Sequence, residues 1–329
     1  MIAKLAVAVP FTMILPDGTP FETFTYEDGD CKVVILPPGK SDVPIHGDVP
    51  EGVTIANAPA FAGNSLHFEF SKPSFNLDAT GTPEPTNEVL ARAVVELVAR
   101  VRYVTRGFQA YTKFPNATWR LEYFNDDGSP YEPKKGEIRA RAGRAMSWSF
   151  IAVTPEVWRL AHSLPDDWQP STWDDILLDA FAAMPKIGTA VVLGATALEV
   201  FIAEVMEKLS KHASFPPLLW GWINDRGDWQ KEPSPEEQFD QLLEYFTGHS
   251  LKSEKELWEA FKNLKNARNK FVHYGVPMVG GKALSELEAM RLLQKADEII
   301  EWTRKKVPEP IRWEAPRTTA DVQFQVRMF

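Results

Sequence analysis

Two periodicities divide the chain. Over roughly its first 150 residues, short β-branched or aromatic runs (Cys31 to Leu36, Leu66 to Phe70, Thr118 to Phe124) are separated by prolines, glycines and aspartates, the punctuation of a sheet. The N-terminal run MIAKLAVAVPFTMILPDG reads as a first strand. Pro10 interrupts it, one lysine is a poor basic flank and no small-residue cleavage site follows, so it does not read as a signal peptide. One helix breaks the sheet pattern: Thr86 or Asn87 can cap Glu88 to Tyr103, and Val89, Ala93, Leu97, Val101 and Val104 recur at helical spacing. Asp126-Asp127-Gly128 predicts a turn from the strand ending at Phe124 toward a later strand near Glu137 to Val153.

From Thr154 the pattern changes to capped helices. Thr154-Pro155-Glu156, Ser171-Thr172-Trp173-Asp174 and Ser234-Pro235-Glu236-Glu237 are helix starts, two of them with proline in the first turn. They predict helices over Ser171 to Met184, Ile187 to His212, Pro235 to Phe246, Ser253 to His273 and Ala283 to Lys306, long enough to pack as four or five antiparallel elements. After Pro308 and Pro310 the period returns to two, with Val322, Phe324, Val326 and Met328 alternating with Gln323, Gln325 and Arg327. A lone strand cannot satisfy its backbone, so the tail is expected to return to the N-terminal sheet or to pair with a partner chain. The fold class that follows is α+β: a mainly β domain with one long helix (1–160), an all-α bundle (161–310) and a C-terminal strand (311–329).

Composition narrows the function. The 329 residues are 44 % apolar and 25 % charged, ordinary globular usage that excludes collagenous, coiled-coil and disordered classes. The formal charge of −9 argues against a general coat for nucleic acid or anionic lipid, leaving only focused contacts. The single Cys31 permits neither an intramolecular disulfide nor a multi-cysteine zinc site, and the expectation is a reducing, cytoplasmic setting. The other long apolar run, the 17 residues Ile187 to Ala203, falls short of the roughly 20 that span a bilayer. It reads as a buried helix, and no membrane partner is expected.

Candidate chemistry concentrates in SEKELWEAFKNLKNARNKFVH, Ser253 to His273. At about 100° per residue from Leu257, Phe261, Leu264 and Phe271 fall within roughly 40° and form one apolar stripe. Arg268 falls at about 20° on the same count, inside that stripe. A guanidinium there needs an acid, an interface or a ligand, because it cannot deprotonate. Glu199 is the complementary oddity, the only charge between Ile187 and Ala203, and Arg268 is its natural partner. The carboxylate is expected to be either ion-paired or kept protonated, and a bundle-core ion pair that fixes helix register is one reading of the two residues, a functional site the other.

His273 lies in the last turn before Tyr274-Gly275-Val276-Pro277, a helix stop, where the dipole favours a cation. It stands about 140° around the helix from Arg268, whereas Asn269 is only about 40° from it. Local unwinding at the helix end, or a second protomer related by a two-fold axis, would be needed to bring guanidinium and imidazole onto one phosphate.

Arg268-Asn269-Lys270-Phe271-Val272-His273 resembles the R-x4-6-H signature of the HEPN superfamily, including the polar residue after the arginine. The helix ATALEVFIAEVMEKL is similar to that family's early helix, and Ile176-Leu177-Leu178-Asp179-Ala180 also fits. The resemblance covers about residues 165 to 308, a helical domain; the N-terminal half resembles no named family. It implies a metal-independent endoribonuclease acting as a homodimer, without cofactor, whose two motifs meet across the interface. In that reading His273 moves the proton of an RNA 2′-OH, Arg268 holds the scissile phosphate and Asn269 orients either. Glu199 would hold Arg268 in place or tune His273. The products would be a 2′,3′-cyclic phosphate and a 5′-hydroxyl, in a defence or toxin setting with an antitoxin or trigger partner. The alternative is a non-catalytic dimerisation or binding scaffold. Tyr274 follows the histidine directly and Gly275 holds the place two residues on, where some HEPN toxins carry a modified tyrosine.

Lys262, Lys265 and Lys270, with Lys252 and Lys255, make this helix locally basic, and Lys134, Lys135, Arg139, Arg141 and Arg144 form a second basic group. Either an RNA track or a solvated face would use them, the first lysines balancing Glu254, Glu256 and Glu259. Gly275 to Ala283 resembles a phosphate loop but has one residue too many, no Ser or Thr after Lys282 and a helix instead of a strand before it, so it reads as a plain loop. His46, His67, His162, His212 and His249 lack ligand spacing, and no metal site is expected. Trp220, Trp222 and Trp229 read as aromatic packing between helices.

Overall fold

A computed structural model describes residues 2–40, 54–55, 58–71, 76–77, 83–84, 87–107, 110, 118–131, 150–224, 232–313 and 322–323. The chain divides into two compact units, one of Met1–Trp168 with Pro316–Phe329, the other of Gln169–Ala315. The fold is α+β, a largely antiparallel sheet unit and a helical unit.

In the first unit, β1 (Ile2–Pro16), β2 (Phe24–Asp28), β3 (Cys31–Gly39), β4 (Thr54–Ile55) and β5 (Ala58–Ser71) precede a small β6 and β7 pair (Asn76–Leu77, Pro83–Glu84). Helix α1 (Asn87–Thr105), β8 (Thr118–Phe124), β9 (Phe150–Ala152) and α2 (Pro155–Ser163) follow. β1 is the centre of the sheet. It pairs antiparallel with β5 along one edge, while the other edge pairs first with β8 (Ile2 to Ala8) and then, in parallel, with β9 (Thr12 to Ile14). Pro10 sits between the two neighbours, where the β5 register also shifts between Ala8 and Met13. A proline has no N–H to give a ladder, and a register break is where a strand tolerates one.

The turn at Asp126-Asp127-Gly128 forms as expected, with Ser129 donating to the Asp127 carboxylate at 2.9 Å. The strand beyond it differs. Its described part is Phe150–Ala152, and it lies parallel to β1 instead of returning beside β8. α1 covers the sheet with Leu90, Val94, Leu97, Val101 and Val104, all buried. Thr154 caps α2 by accepting from the Val157 N–H at 3.2 Å. The fully buried Trp158 donates its indole N–H to the Glu22 carbonyl at 3.0 Å. Late in the chain, β12 (Val322–Gln323) pairs antiparallel with β4.

The helical unit contains α3 (Thr172–Ala182), α4 (Ile187–His212), α5 (Pro217–Asn224), α6 (Pro235–Glu237), α7 (Leu243–Thr247), α8 (Lys255–Tyr274) and α9 (Glu286–Lys306). α4 is the hub. Leu198, Phe201, Ile202 and Val205 pack among Trp173 and Leu177 of α3, Phe261 and Leu264 of α8, and Ile299 and Ile300 of α9. By length and composition α4 would suffice to cross a membrane, and it is longer than its 17-residue apolar run; more than half of its most apolar stretch is buried within the protein. That is the burial of a core helix.

Three local features were not read from the sequence. α5 forms where only aromatic packing was expected; Trp220 does pack there, donating to Glu207 at 2.7 Å and touching Phe215 and Phe246 edge-on. A π-helical stretch, Gln238–Leu242, joins α6 to α7 and buries Asp240. The loop after α8 is a hairpin, β10 (Met278–Val279) with β11 (Lys282–Ala283), and α9 starts after it with a Ser285/Glu288 capping box. Gly280 and Gly281 both take positive φ, 58° and 79°, as a two-residue hairpin turn requires.

Candidate functional site in the helical unit

The site is built where the end of α8 meets the start of α4. α8 buries Ala260, Phe261, Leu264 and Ala267; of the stripe expected from the sequence, Phe261 and Leu264 are buried and Leu257 and Phe271 are half-buried. Near its end, Phe271 lies directly on Gly188 of α4, where an added methyl would overlap the phenyl ring. Gly194, further along α4, likewise leaves room for Leu293 of α9, with Leu264 close by. Gly188 thus lets α8 approach α4 one turn beyond Arg268, and Gly194 lets α9 do the same.

Arg268 is neither sealed nor free. Its Nη2 lies 3.9 Å from the Glu199 carboxylate, and the two side chains keep 34 % and 30 % of their surface exposed. Nη1 donates to Asn269 Oδ1 at 3.0 Å, and Nε is buried without a hydrogen-bond partner. The buried Nε is out of a ligand's reach; the Nη2 end, too far from Glu199 for a hydrogen bond, keeps donor capacity in a half-dry place, where an oxyanion would be held more strongly than in open water.

His273 is exposed in the last turn, its ring edge-on to Tyr274 with centroids 6.3 Å apart. α8 stays helical through Tyr274, and Gly275, at φ 73°, donates to the Phe271 carbonyl at 2.7 Å. No unwinding precedes that cap, so Arg268 and His273 of one chain remain about 140° apart around the helix axis. The structure brings together Arg268, Asn269 and Glu199, and it does not bring His273 to them within one protomer.

Of the lysines on α8, two are matched by carboxylates, as a solvated face would have them. Lys262 pairs with Glu259 at 2.6 Å and Lys265 with Glu236. Lys270 has no carboxylate partner among the described residues, and its ammonium sits 4.9 Å from the Tyr274 ring centroid. Arg139 and Arg141, with the basic group around them, lie outside the described residues, as do His46 and Trp229. Among the described residues no three His, Cys, Asp or Glu side chains gather as metal ligands would.

One feature of this end of the bundle was missed in the sequence. Val272, Tyr274 and Val276 are exposed beside His273. Leu287, also exposed, opens α9 at the same end, which the Leu284 N–H to Pro277 carbonyl bond of 3.0 Å ties to the end of α8. The available signal was two valines and a tyrosine crowded around a glycine stop, where polar residues are usual. The chain matches no protein-family model, and neither a curated protein nor a solved structure matches it.

Proposed function

We propose that the helical unit is a metal-independent endoribonuclease of HEPN type that works as a homodimer in the cytoplasm. The observation that carries this reading is the pairing of an incompletely satisfied Arg268 with an exposed His273 one and a half turns on, at an end of the bundle where Val272, Tyr274, Val276 and Leu287 are bare. Two copies joined there would bury that apolar collar and supply one protomer's histidine to the other's arginine. His273 would take the proton of the 2′-hydroxyl as that oxygen attacks phosphorus, and the P–O5′ bond would break as the imidazolium so formed passes that proton to the 5′-oxygen. Arg268 would stabilise the charge on the non-bridging oxygens, with Asn269 holding its fork. Glu199 is a positioning residue here, and Lys270 is the surface cation nearest in sequence to offer the RNA backbone. A defence or toxin effector with an antitoxin or trigger partner is the setting this reading implies.

A second reading has its own support. The 3.9 Å approach of Arg268 to Glu199 and the neutralised Lys262 and Lys265 also suit a non-catalytic dimerisation scaffold. RNA cleavage in EDTA, comparing wild type with Arg268→Ala and His273→Ala, separates the two. Cleavage that leaves cyclic phosphate ends and disappears in both folded variants supports the nuclease. Dimerisation without cleavage or toxicity on expression supports the scaffold.

A further inference from the structure

A cavity of about 220 Å³ lies in the sheet unit, between the β2 and β3 side of the sheet, α1 and α2. Phe24, Ile35 and Leu97 give it apolar walls, and Tyr26, Glu96 and His162 bring polar groups to it. Buried polar groups in proteins nearly always find a partner. Here His162 Nε2 is buried with none, and among the described residues no hydrogen bond reaches the Glu96 carboxylate or the Tyr26 hydroxyl. Glu96 and Tyr26 thus bring open hydrogen-bonding capacity to the cavity, while the His162 nitrogen is sealed in its wall.

The charges nearby are already committed. Arg92 grips Asp28 through Nε and Nη2 at 2.6 to 2.8 Å. Arg100 spends its fork on the carbonyls of Leu164 and Pro165, both at 2.8 Å. An anion entering the cavity would find these donors occupied. The lining holds four carboxylates (Glu27, Asp28, Glu96, Asp166) against those two guanidinia, so the balance of charge favours a cation. His162 is stacked on Phe24 with centroids 3.9 Å apart and lies edge-on to Trp158. Burial, then the Arg100 charge, push its pKa down to about 3; the ring is neutral and presents a lone pair when Nδ1 carries the hydrogen. Burial likewise raises Glu96, with the Arg100 and Arg92 charges acting against it. An ammonium group has three donors and no acceptor, the complement of a carboxylate and a phenol oxygen.

We propose that this cavity binds a small organic ammonium ion, its N–H groups on Glu96 and Tyr26 and its apolar body against Phe24, Ile35 and Leu97. The assignment is independent of whether the helical unit cuts RNA. It gives the sheet unit, whose sequence resembles no named family, a ligand class of its own.

Calorimetric titration of the full-length protein with benzylamine at neutral pH tests it, with benzyl alcohol and benzoate as uncharged and anionic matches. The expected result is saturable benzylamine binding, weakened roughly tenfold or more in Glu96→Gln and less in Tyr26→Phe. His273→Ala should bind as wild type does. Glu96→Gln keeps the shape and removes a desolvated charge, so it should fold, and thermal unfolding of the free variant checks that it has. Absence of saturable benzylamine binding, equal affinity in Glu96→Gln, or benzoate binding as tightly as benzylamine would each overturn the proposal.

Discussion

The Arg268 guanidinium stands 3.9 Å from the Glu199 carboxylate, well beyond the roughly 2.7–2.9 Å of a charge-assisted hydrogen bond. Both groups are about a third exposed, so water screens what attraction remains. Glu199→Gln should therefore change stability by no more than about 1 kcal/mol, read by urea unfolding of the helical unit. If Glu199 positions Arg268 for catalysis, the same substitution lowers RNA cleavage by far more than it lowers stability. A large loss of stability with unchanged cleavage would mark the pair as structural only.

The separation of Arg268 from His273 around α8 makes complementation informative. On the proposed dimeric nuclease, Arg268→Ala and His273→Ala proteins would each be inactive alone and should recover activity when mixed and allowed to exchange subunits. Half of the dimers would be mixed and each would hold one intact site of two, giving about a quarter of wild-type cleavage. No recovery, with exchange shown by a mass tag, would place both side chains at a site within one protomer.

Phe271 on Gly188 is a contact with no slack. Gly188→Val should destabilise the helical unit by roughly 1–3 kcal/mol, the usual cost of overpacking. Adding Phe271→Leu should recover part of that, because the leucine side chain reaches less far over α4. Thermal unfolding of the single and double variants reads the coupling.

His162 links the sheet unit to pH. Burial, with the Arg100 charge adding to it, pushes its pKa down from 6.5 to about 3, so the unfolded chain takes up a proton that the folded one refuses. The sign follows: this contribution is fully present above about pH 6.5 and is lost as pH falls toward 3. At pH 5 the loss comes to about 2 kcal/mol. Hydrogen exchange in α2 at pH 7 and pH 5, corrected for intrinsic rates, should show it. His162→Phe, which keeps the stack on Phe24, should flatten the difference.

Much of this fold was legible because its signals are local. The start of α4 coincides with the start of its apolar run at Ile187, its basic last turn is Lys211 and His212, and the stop of α8 follows from Gly275. The oddity of Arg268 was visible as a charge inside an apolar stripe, and Glu199 as its natural partner. What was not legible depends on partners distant in the chain. The β9 strand pairs parallel with β1, and nothing in Phe150 to Ala152 announces that neighbour. The hairpin after α8 was hidden because its strands are two residues each. Tyr26, Glu96 and His162 meet at one cavity, but each alone reads as an ordinary strand or helix residue. His162 in particular was grouped with scattered histidines.

The pairing of β12 with β4 imposes an order on biosynthesis. Residues Thr54–Ile55 leave the ribosome early, yet the strand that lies against them does not exist until all of Gln169–Ala315 has been made. The helical unit, whose contacts are nearer in sequence, has time to close on itself first. During that interval β4 presents an open edge, the kind of edge that another nascent chain can capture.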